Sequence, residues 1–334
     1  MHNNKYISCA RLTNGIDFEV GNIELCCFRC HEGGGNISVA KVVNGKVDIC
    51  ELEANRENLI LENKRGIINK KCAGCFNLEK KSPDKSKSIS YIHFNHWTYC
   101  NCNCIYCYTK SEKKYKHYFQ NYKALPILKE LINKYGFSNE GEITFAGGEP
   151  VLLDEFDDII DYLLNIGAKK IIVHTSGVKY SEKLENALKK NVAKIVISHD
   201  SGYEDTYIRI KNSDFYYNVW ENTVKYTNTQ GDNDCVSSKY VILPKINDNK
   251  KEVDEWLFKS VKSGIKSIIV DIEHNYYFNN QNNIKSVIKL IKMCEYIKRS
   301  SDKYGIKLQY YNAAEYLYRK YKTIIPFIKL ILTK

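Results

Sequence analysis

Residues 100–107 read Cys100-Asn101-Cys102-Asn103-Cys104-Ile105-Tyr106-Cys107, in which Cys100, Cys104 and Cys107 stand at C-x3-C-x2-C spacing. Thiolates are soft ligands, and three in one short loop suit a [4Fe-4S] cluster while leaving one of its irons without a protein ligand. An open coordination position marks a catalytic rather than a structural metal site. The same spacing also suits a zinc knuckle. One βα unit further on, Ile143-Thr144-Phe145 leads into Gly147-Gly148-Glu149-Pro150. Two glycines let backbone come close to a ligand, Pro150 fixes the exit, and Glu149 offers an acceptor to an ammonium group. An isolated Gly-Gly-Glu-Pro is an ordinary turn; its place after the cysteine loop makes it diagnostic.

Elements with a clear hydrophobic period must hold these loops. Residues 89–94, 142–146, 170–174, 194–198, 239–243 and 267–272 read as strands, and 125–135, 153–165, 182–190, 215–227, 252–263 and 284–300 as helices. Repeated β-α units predict a parallel sheet with right-handed crossovers, closed as a barrel or open and doubly wound. In either, the loops after the strand C-termini share one face, where chemistry belongs. The cysteine loop follows the first of these strands directly.

Before residue 81 the pattern differs. Short alternating runs with glycine punctuation, and Asn44-Gly45 between two β-rich stretches, predict a small β-rich, cysteine-bearing module with a hairpin. The expected organisation is this module over 1–80, a polar linker over 81–88, an α/β core over 89–312 and a C-terminal amphipathic helix over 313–334. Packing on the core is the default for that helix, with weak contact to an anionic membrane surface as its alternative.

Composition narrows the class. The 334 residues suggest about two domains, and 43% apolar with 27% charged residues is ordinary for a globular chain. No apolar run reaches membrane-spanning length, and the start lacks the regions of a signal peptide, so a cytoplasmic location is expected. Thirteen cysteines in such a chain read as metal ligands rather than disulfides. They also cluster: apart from Cys235 and Cys294, all lie between Cys9 and Cys107. Lys and Arg exceed Asp and Glu to give +11, but no dense basic block accompanies them, and nucleic acid is not expected as substrate.

Together the cysteine loop and the glycine turn resemble the radical S-adenosylmethionine (radical SAM) superfamily over residues 88–310. The resemblance implies a partial (β/α)6 TIM-like barrel with a [4Fe-4S] cluster on Cys100, Cys104 and Cys107. The open iron would take the amino and carboxylate groups of S-adenosyl-L-methionine (SAM), with Gly147, Gly148 and Glu149 at its methionine end and Tyr106 near its adenine. An electron from the reduced cluster, drawn from a donor such as flavodoxin or ferredoxin, would cleave the sulfonium and release a 5′-deoxyadenosyl radical that takes hydrogen from a substrate. Ser198 and Asp200 match a segment that contacts the ribose, and Arg209 a residue that pairs with the SAM carboxylate. Turn capping by Asp200 and a surface role for Arg209 are the alternatives. No adenine-binding glycine pattern stands near residues 239–244. Asp271, Glu273 and His274, at the last core strand, would face the substrate or form surface ion pairs.

The amino-terminal cysteines carry a second resemblance. Cys9, Gly21 and Cys26 form C-x11-G-x4-C, and Cys72-Ala73-Gly74-Cys75 follows, similar to the twitch or SPASM-type extension that binds auxiliary [4Fe-4S] clusters. That resemblance would make Cys9, Cys26, Cys72 and Cys75 the ligands. The family carries the extension after its barrel, whereas here it comes first. Cys27, Cys30 and His31 offer competing ligands, so an auxiliary cluster, a zinc site and no metal remain open. Cys50, Cys235 and Cys294 read as buried packing residues, Cys102 as a non-ligand, and His93 and His96 as packed histidines.

The expected function is radical hydrogen abstraction from a peptide or protein. A carbohydrate or nucleotide-sugar is the alternative substrate, and a non-catalytic Fe-S or zinc binding protein the alternative class.

Overall fold

From residue 89 onward, strand and helix alternate as the hydrophobic period demands. The computed structural model describes residues 5–26, 37–75, 77–81, 88–111, 122–229 and 233–321. The strands are β1 (Tyr6–Ser8), β2 (Gly15–Glu19), β3 (Asn22–Glu24), β4 (Ser38–Val43), β5 (Lys46–Val47), β6 (Glu79–Lys81), β7 (Ile89–Asn95), β8 (Phe137–Phe145), β9 (Lys170–Thr175), β10 (Ala193–Ser198), β11 (Val236–Ile242), β12 (Ser267–Ile272) and β13 (Lys307–Tyr310). Two compact units result: Met1–Cys100 with Tyr108–Val173, and Asn101–Cys107 with His174–Lys334.

In the first unit the strand order is β9-β8-β7-β2-β3-β4-β5. β7, β8 and β9 run parallel, as does β2 on the other side of β7, while β3 to β5 turn back antiparallel. β2 therefore hydrogen-bonds directly to the strand that leads into the cysteine loop, with Phe18 opposite Phe94 and Phe94 opposite Phe145. These rings stack at 5.1 and 4.6 Å, and Phe156 from the helix Phe156–Asn165 meets Phe145 edge-on at 5.3 Å. All four are at most 1% exposed, which makes them the hydrophobic anchor of this unit. Compactness thus groups the residues before the expected 81–88 linker with the strands after it.

The amino-terminal region is not purely β. The helix Ile49–Lys64 crosses it, buries Leu52, Arg56 and Asn63, and donates from Arg56 to the Gly15 carbonyl at 2.7 Å. Its sequence shows no apolar stripe, because polar residues take up part of its buried face. A start signal was present: Asp48 caps the Cys50 and Glu51 N–H groups, with Glu51 three residues on. The hairpin at Asn44-Gly45 is as expected, both residues having positive φ (52° and 73°) between β4 and β5.

The second unit orders its strands β10-β11-β12-β13, all parallel. Helices Glu204–Lys211, Tyr216–Thr229, Lys250–Lys262 and Ile284–Lys303 alternate with them. Tyr240 packs on Trp256 and His199 on Trp220 at the unit's centre. Among the described residues no helix is long and apolar enough to cross a membrane. The expected helix over 313–334 is present as Asn312–Lys320; residues 322–334 lie outside the described residues, as do 82–87 of the linker and Cys27, Cys30 and His31.

Candidate functional site

In the first unit, the Gly-Gly-Glu-Pro turn is bound to the chain that runs into Cys100. The Gly148 N–H donates to the Trp97 carbonyl at 3.1 Å and the Glu149 N–H to the Tyr99 carbonyl at 2.7 Å. Gly147 has φ +88°, and a Cβ there would meet Asn95 Oδ1 at 2.8 Å; one on Gly148 would strike Tyr99 O and Trp97 Cδ1. The two glycines therefore admit the approach of the chain's own loop. Glu149 is 1% exposed and accepts from the Val151 N–H at 3.4 Å, so its carboxylate also caps its own turn.

A polar layer lies on the other face of β7 from Phe94. Asp17 of β2 faces His93 across the register, Oδ1 to Nδ1 at 2.7 Å. One pleat on, Asn95 donates to Glu19, and the Tyr108 hydroxyl, next after Cys107, donates to Asn95 Oδ1 at 2.8 Å. His96 bonds Glu155 at 3.1 Å. Burial opposes ionisation of Glu155, but His96 and the Ala124 and Leu125 N–H groups outweigh it and hold the carboxyl below its usual range. Burial likewise pushes the His96 imidazole down, keeping it neutral.

In the second unit, the loop carrying Cys104 and Cys107 is fastened to the end of the helix Glu204–Lys211. The Asn103 N–H donates to the Lys211 carbonyl at 2.8 Å and the Ile105 N–H to the Ile210 carbonyl at 3.0 Å. Lys211 is 1% exposed and Asp200 is fully buried, and the two form an ion pair. The Tyr106 hydroxyl donates to Asp200 Oδ2 at 2.5 Å and accepts from Lys211 Nζ at 3.2 Å. Asp200 Oδ1 accepts the Val241 N–H at 2.7 Å. Burial works against the Lys211 ammonium, yet Asp200, then Tyr106, carry it well above its ordinary range.

The structure places each of the remaining candidate residues. Both Asp200 oxygens are engaged inside the unit, which gives it an anchoring role. Its φ of 59° is a left-handed conformation that this network holds in place. Tyr106 turns its hydroxyl to Asp200 and packs its ring against Ile210, Val241 and Leu243. Ser198 is half-buried at the end of β10, and Arg209 is exposed on its helix. Glu273 caps the helix His274–Asn280, His274 packs on Phe278, and Asp271 accepts the Ala313 N–H at 3.1 Å. Cys50 is exposed, against the expected burial, whereas Cys235 and Cys294 are buried. Cys102 is buried and accepts from the Ser213 hydroxyl at 3.5 Å.

The amino-terminal cysteines do come together. Cys9, Cys26, Cys72 and Cys75 line one small cavity in the first unit, with Arg11 and Lys71 beside them. Burial raises the thiols of Cys9 and Cys72, the latter to about 11, and the neighbouring cysteines add to both shifts. Among the described residues no three His, Cys, Asp or Glu side chains converge to hold a single metal ion. The four thiols border a shared space without meeting at one point.

The cysteines of both sets are free, and all are half-buried except the buried Cys9; thiols of this kind are the donors an iron–sulfur group takes. Lys211, Asn95 and Asp17, the partner of His93, are the polar positions the sequence reading missed. The one signal for Lys211 was a lysine four residues after Tyr207, on the stripe of that helix that faces inward.

Comparison with known proteins bears on residues 94–257, which match the radical SAM superfamily model. An S-adenosylmethionine-dependent nucleotide dehydratase of Lacinutrix mariniflava is 31% identical over 38% of this chain and 27% of its own length. GTP 3′,8-cyclases of Vibrio parahaemolyticus and Clostridium botulinum are 25% and 23% identical, over 34% and 56% of this chain and 35% and 57% of theirs. The chain thus spans between about a quarter and somewhat over half the length of these curated relatives. In fold it is similar to Streptococcus suis SuiB, solved bound to the precursor peptide SuiA, with a TM-score of 0.55 at 12% identity over 82% of this chain and 65% of that one. A second SuiB structure matches with a TM-score of 0.52 at 12% identity over 89% and 72%. Residues 94–257 are a radical SAM superfamily domain.

Proposed function

We propose that the chain is an enzyme that cleaves SAM reductively and abstracts hydrogen from a peptide or protein. The observation that carries this reading is the fastening of Gly148 and Glu149 to Trp97 and Tyr99, which couples the glycine turn to the entry of the three-cysteine loop. Cys100, Cys104 and Cys107 would hold a [4Fe-4S] cluster. Bound there, the cluster supplies one electron to the sulfonium of SAM, which parts into methionine and a 5′-deoxyadenosyl radical. The chain's own residues shape the rest. The glycines bring backbone close, Asn95 ties Glu19 to Tyr108, and the Phe18–Phe94–Phe145 stack keeps water from beneath the strand ends. Ser198 and Arg209 remain candidates for contact with SAM.

Cys9, Cys26, Cys72 and Cys75 would hold an auxiliary [4Fe-4S] cluster, supported by their shared cavity. A peptide substrate is supported by the likeness in fold to SuiB over most of the chain. A nucleotide is the second reading, favoured by the named activities of the sequence relatives. Anaerobically reconstituted protein given SAM and dithionite should yield 5′-deoxyadenosine. Stimulation of that yield by peptides, and not by GTP or other nucleotides, supports the first substrate class; the reverse supports the second. Absence of 5′-deoxyadenosine from iron-loaded protein would sink the proposal.

A further inference from the structure

We propose that Lys239 anchors a carboxylate of the peptide substrate. This rests on the reading that the chain acts on a peptide, and deepens it by naming the chemistry that peptide must offer. The residues that carry the inference, Ser198, Lys239, Asp271 and Tyr311, all belong to the second unit.

Successive side chains of β11 point to opposite faces of the sheet. Ser238 and Tyr240 meet Trp256 of the helix Lys250–Lys262 on one face. Lys239 and Val241 take the other, and Val241 is where Tyr106 of the cysteine loop packs. Lys239 thus stands one pleat, about 6.6 Å, from a residue that supports the loop. Its side chain is 17% exposed, and its ammonium carries three donors. Asp271 lies 3.7 Å away, beyond hydrogen-bond distance. That carboxylate is spent elsewhere: Oδ1 accepts the Ile272 N–H at 2.8 Å and the Ala313 N–H at 3.1 Å, and Oδ2 accepts from Asn312 at 3.3 Å. Nζ also stands over the Tyr311 ring at 5.7 Å. Among the described residues the ammonium donates no hydrogen bond.

An ammonium drawn that far out of water calls for acceptors in exchange. An anionic oxygen group on a ligand supplies them, through charge-assisted hydrogen bonds. The charge count selects a carboxylate. Lys239 is one positive charge with the Asp271 carboxylate behind it, which leaves the second charge of a phosphate unmatched. Lys194 and Lys307, on the same face of β10 and β13, are exposed at the strand starts, and Lys211 is engaged with Asp200 and Tyr106. A polyphosphate would find too few cations here. Ser198, a candidate contact for SAM, is opposite Lys239 in register, about 4.8 Å across the strands. A carboxylate held by Lys239 would therefore bring the peptide beside SAM.

The test is equilibrium binding of two synthetic peptide libraries to the reconstituted full chain in the presence of SAM. Both have blocked termini and differ only in that Asp and Glu of the first are Asn and Gln in the second. The unsubstituted chain should retain the acidic library in preference. Lys239→Gln should lose that preference, with Kd for the best-retained acidic peptide raised about tenfold to a hundredfold, as for a hydrogen bond to a charged group. Lys239→Arg, which keeps the charge, should hold most of it. Lys225→Gln removes an exposed lysine from the helix Tyr216–Thr229 and should keep the preference, which separates this site from the chain's overall positive charge. If Lys239→Gln does not fold, Lys239→Met takes its place, since Asp271 keeps its bonds to Ile272, Ala313 and Asn312 in either. Equal retention of the two libraries by the unsubstituted chain, or an acidic preference that survives in Lys239→Gln, overturns the proposal and leaves the peptide reading standing. A fall in SAM affinity of Lys239→Gln without peptide would give the ammonium to the SAM carboxylate, and GTP binding that depends on Lys239 would give it to a phosphate; either overturns the proposal. Retention of neither library would instead strike the peptide reading itself, and the proposal with it.

Discussion

Four cysteines near the amino terminus border one cavity, whereas the loop at residues 100–107 contributes three to a motif whose spare cysteine, Cys102, is turned inward to Ser213. As proposed, the first set would close around a group with no position to spare, and the second would leave one ligand position to something other than protein. Their surroundings differ as well. Arg11 and Lys71 lie at the cavity wall, while the loop rests on a fully engaged buried network of Lys211, Asp200 and Tyr106. The contrast teaches that the two groups of thiols differ most in what stands behind them: basic side chains at a cavity wall for one, a buried charge pair for the other.

The largest expected effect breaks the comparison outright. Cys104→Ala should reduce 5′-deoxyadenosine formation to background, while Cys72→Ala should leave it measurable and lower bound iron by about half, one of two clusters being lost. Equal loss of SAM cleavage in both would erase the distinction between the sites. Next in size is the support behind the loop. Lys211→Met alone leaves the Asp200 carboxylate buried without its partner and should destabilise the protein by about 3–5 kcal/mol in urea unfolding. The neutral pair Lys211→Met/Asp200→Asn should recover most of that loss, and a double variant as unstable as the single would contradict the charge argument.

Gly148→Ala probes the first unit instead. Its new Cβ must push against the Tyr99 carbonyl and Trp97, at about 1–3 kcal/mol, and should weaken SAM binding as the turn shifts away from the loop entry. Unaltered stability together with unaltered SAM affinity would show that the turn and the loop are not coupled as described.

The smallest effect per step is one of pH. Burial pushes the His199 imidazole down to about 3, where it bonds Thr223 and Ser238 as the neutral ring. The unfolded chain then binds a proton, below its pKa of about 6.5, that the folded chain refuses until about pH 3. Stability should therefore fall on acidification across that window by about 1.4 kcal/mol per pH unit. The matching part of the acid slope should vanish in His199→Gln, and a variant with the same slope would assign it to other groups. If the slope belongs to His199, it reports on the second unit alone.

Much of this was legible along the chain. The period of residues 267–272 placed β12 correctly, and Asn44-Gly45 announced its hairpin, because both signals are local. The helix Ile49–Lys64 escaped because it buries Arg56 and Asn63 where an apolar stripe would stand. Asp200 was singled out as a polar residue at a strand end, but nothing local tells a ligand contact from an anchor. That difference lies in Lys211, Tyr106 and Val241, which come from three other parts of the chain.

By itself, the order of residues determined the chemistry on offer: soft sulfur donors at C-x3-C-x2-C spacing, a glycine turn one βα unit later, and a β/α rhythm to carry them. Coordination chemistry and secondary structure answer to near neighbours, so short spacings suffice to state them. Only the tertiary structure decided that Cys9, Cys26, Cys72 and Cys75 share a cavity, that β2 hydrogen-bonds to β7, and that a lysine far along the chain is buried against the cysteine loop. Burial and charge pairing depend on what folds across from a residue, and no local pattern records that.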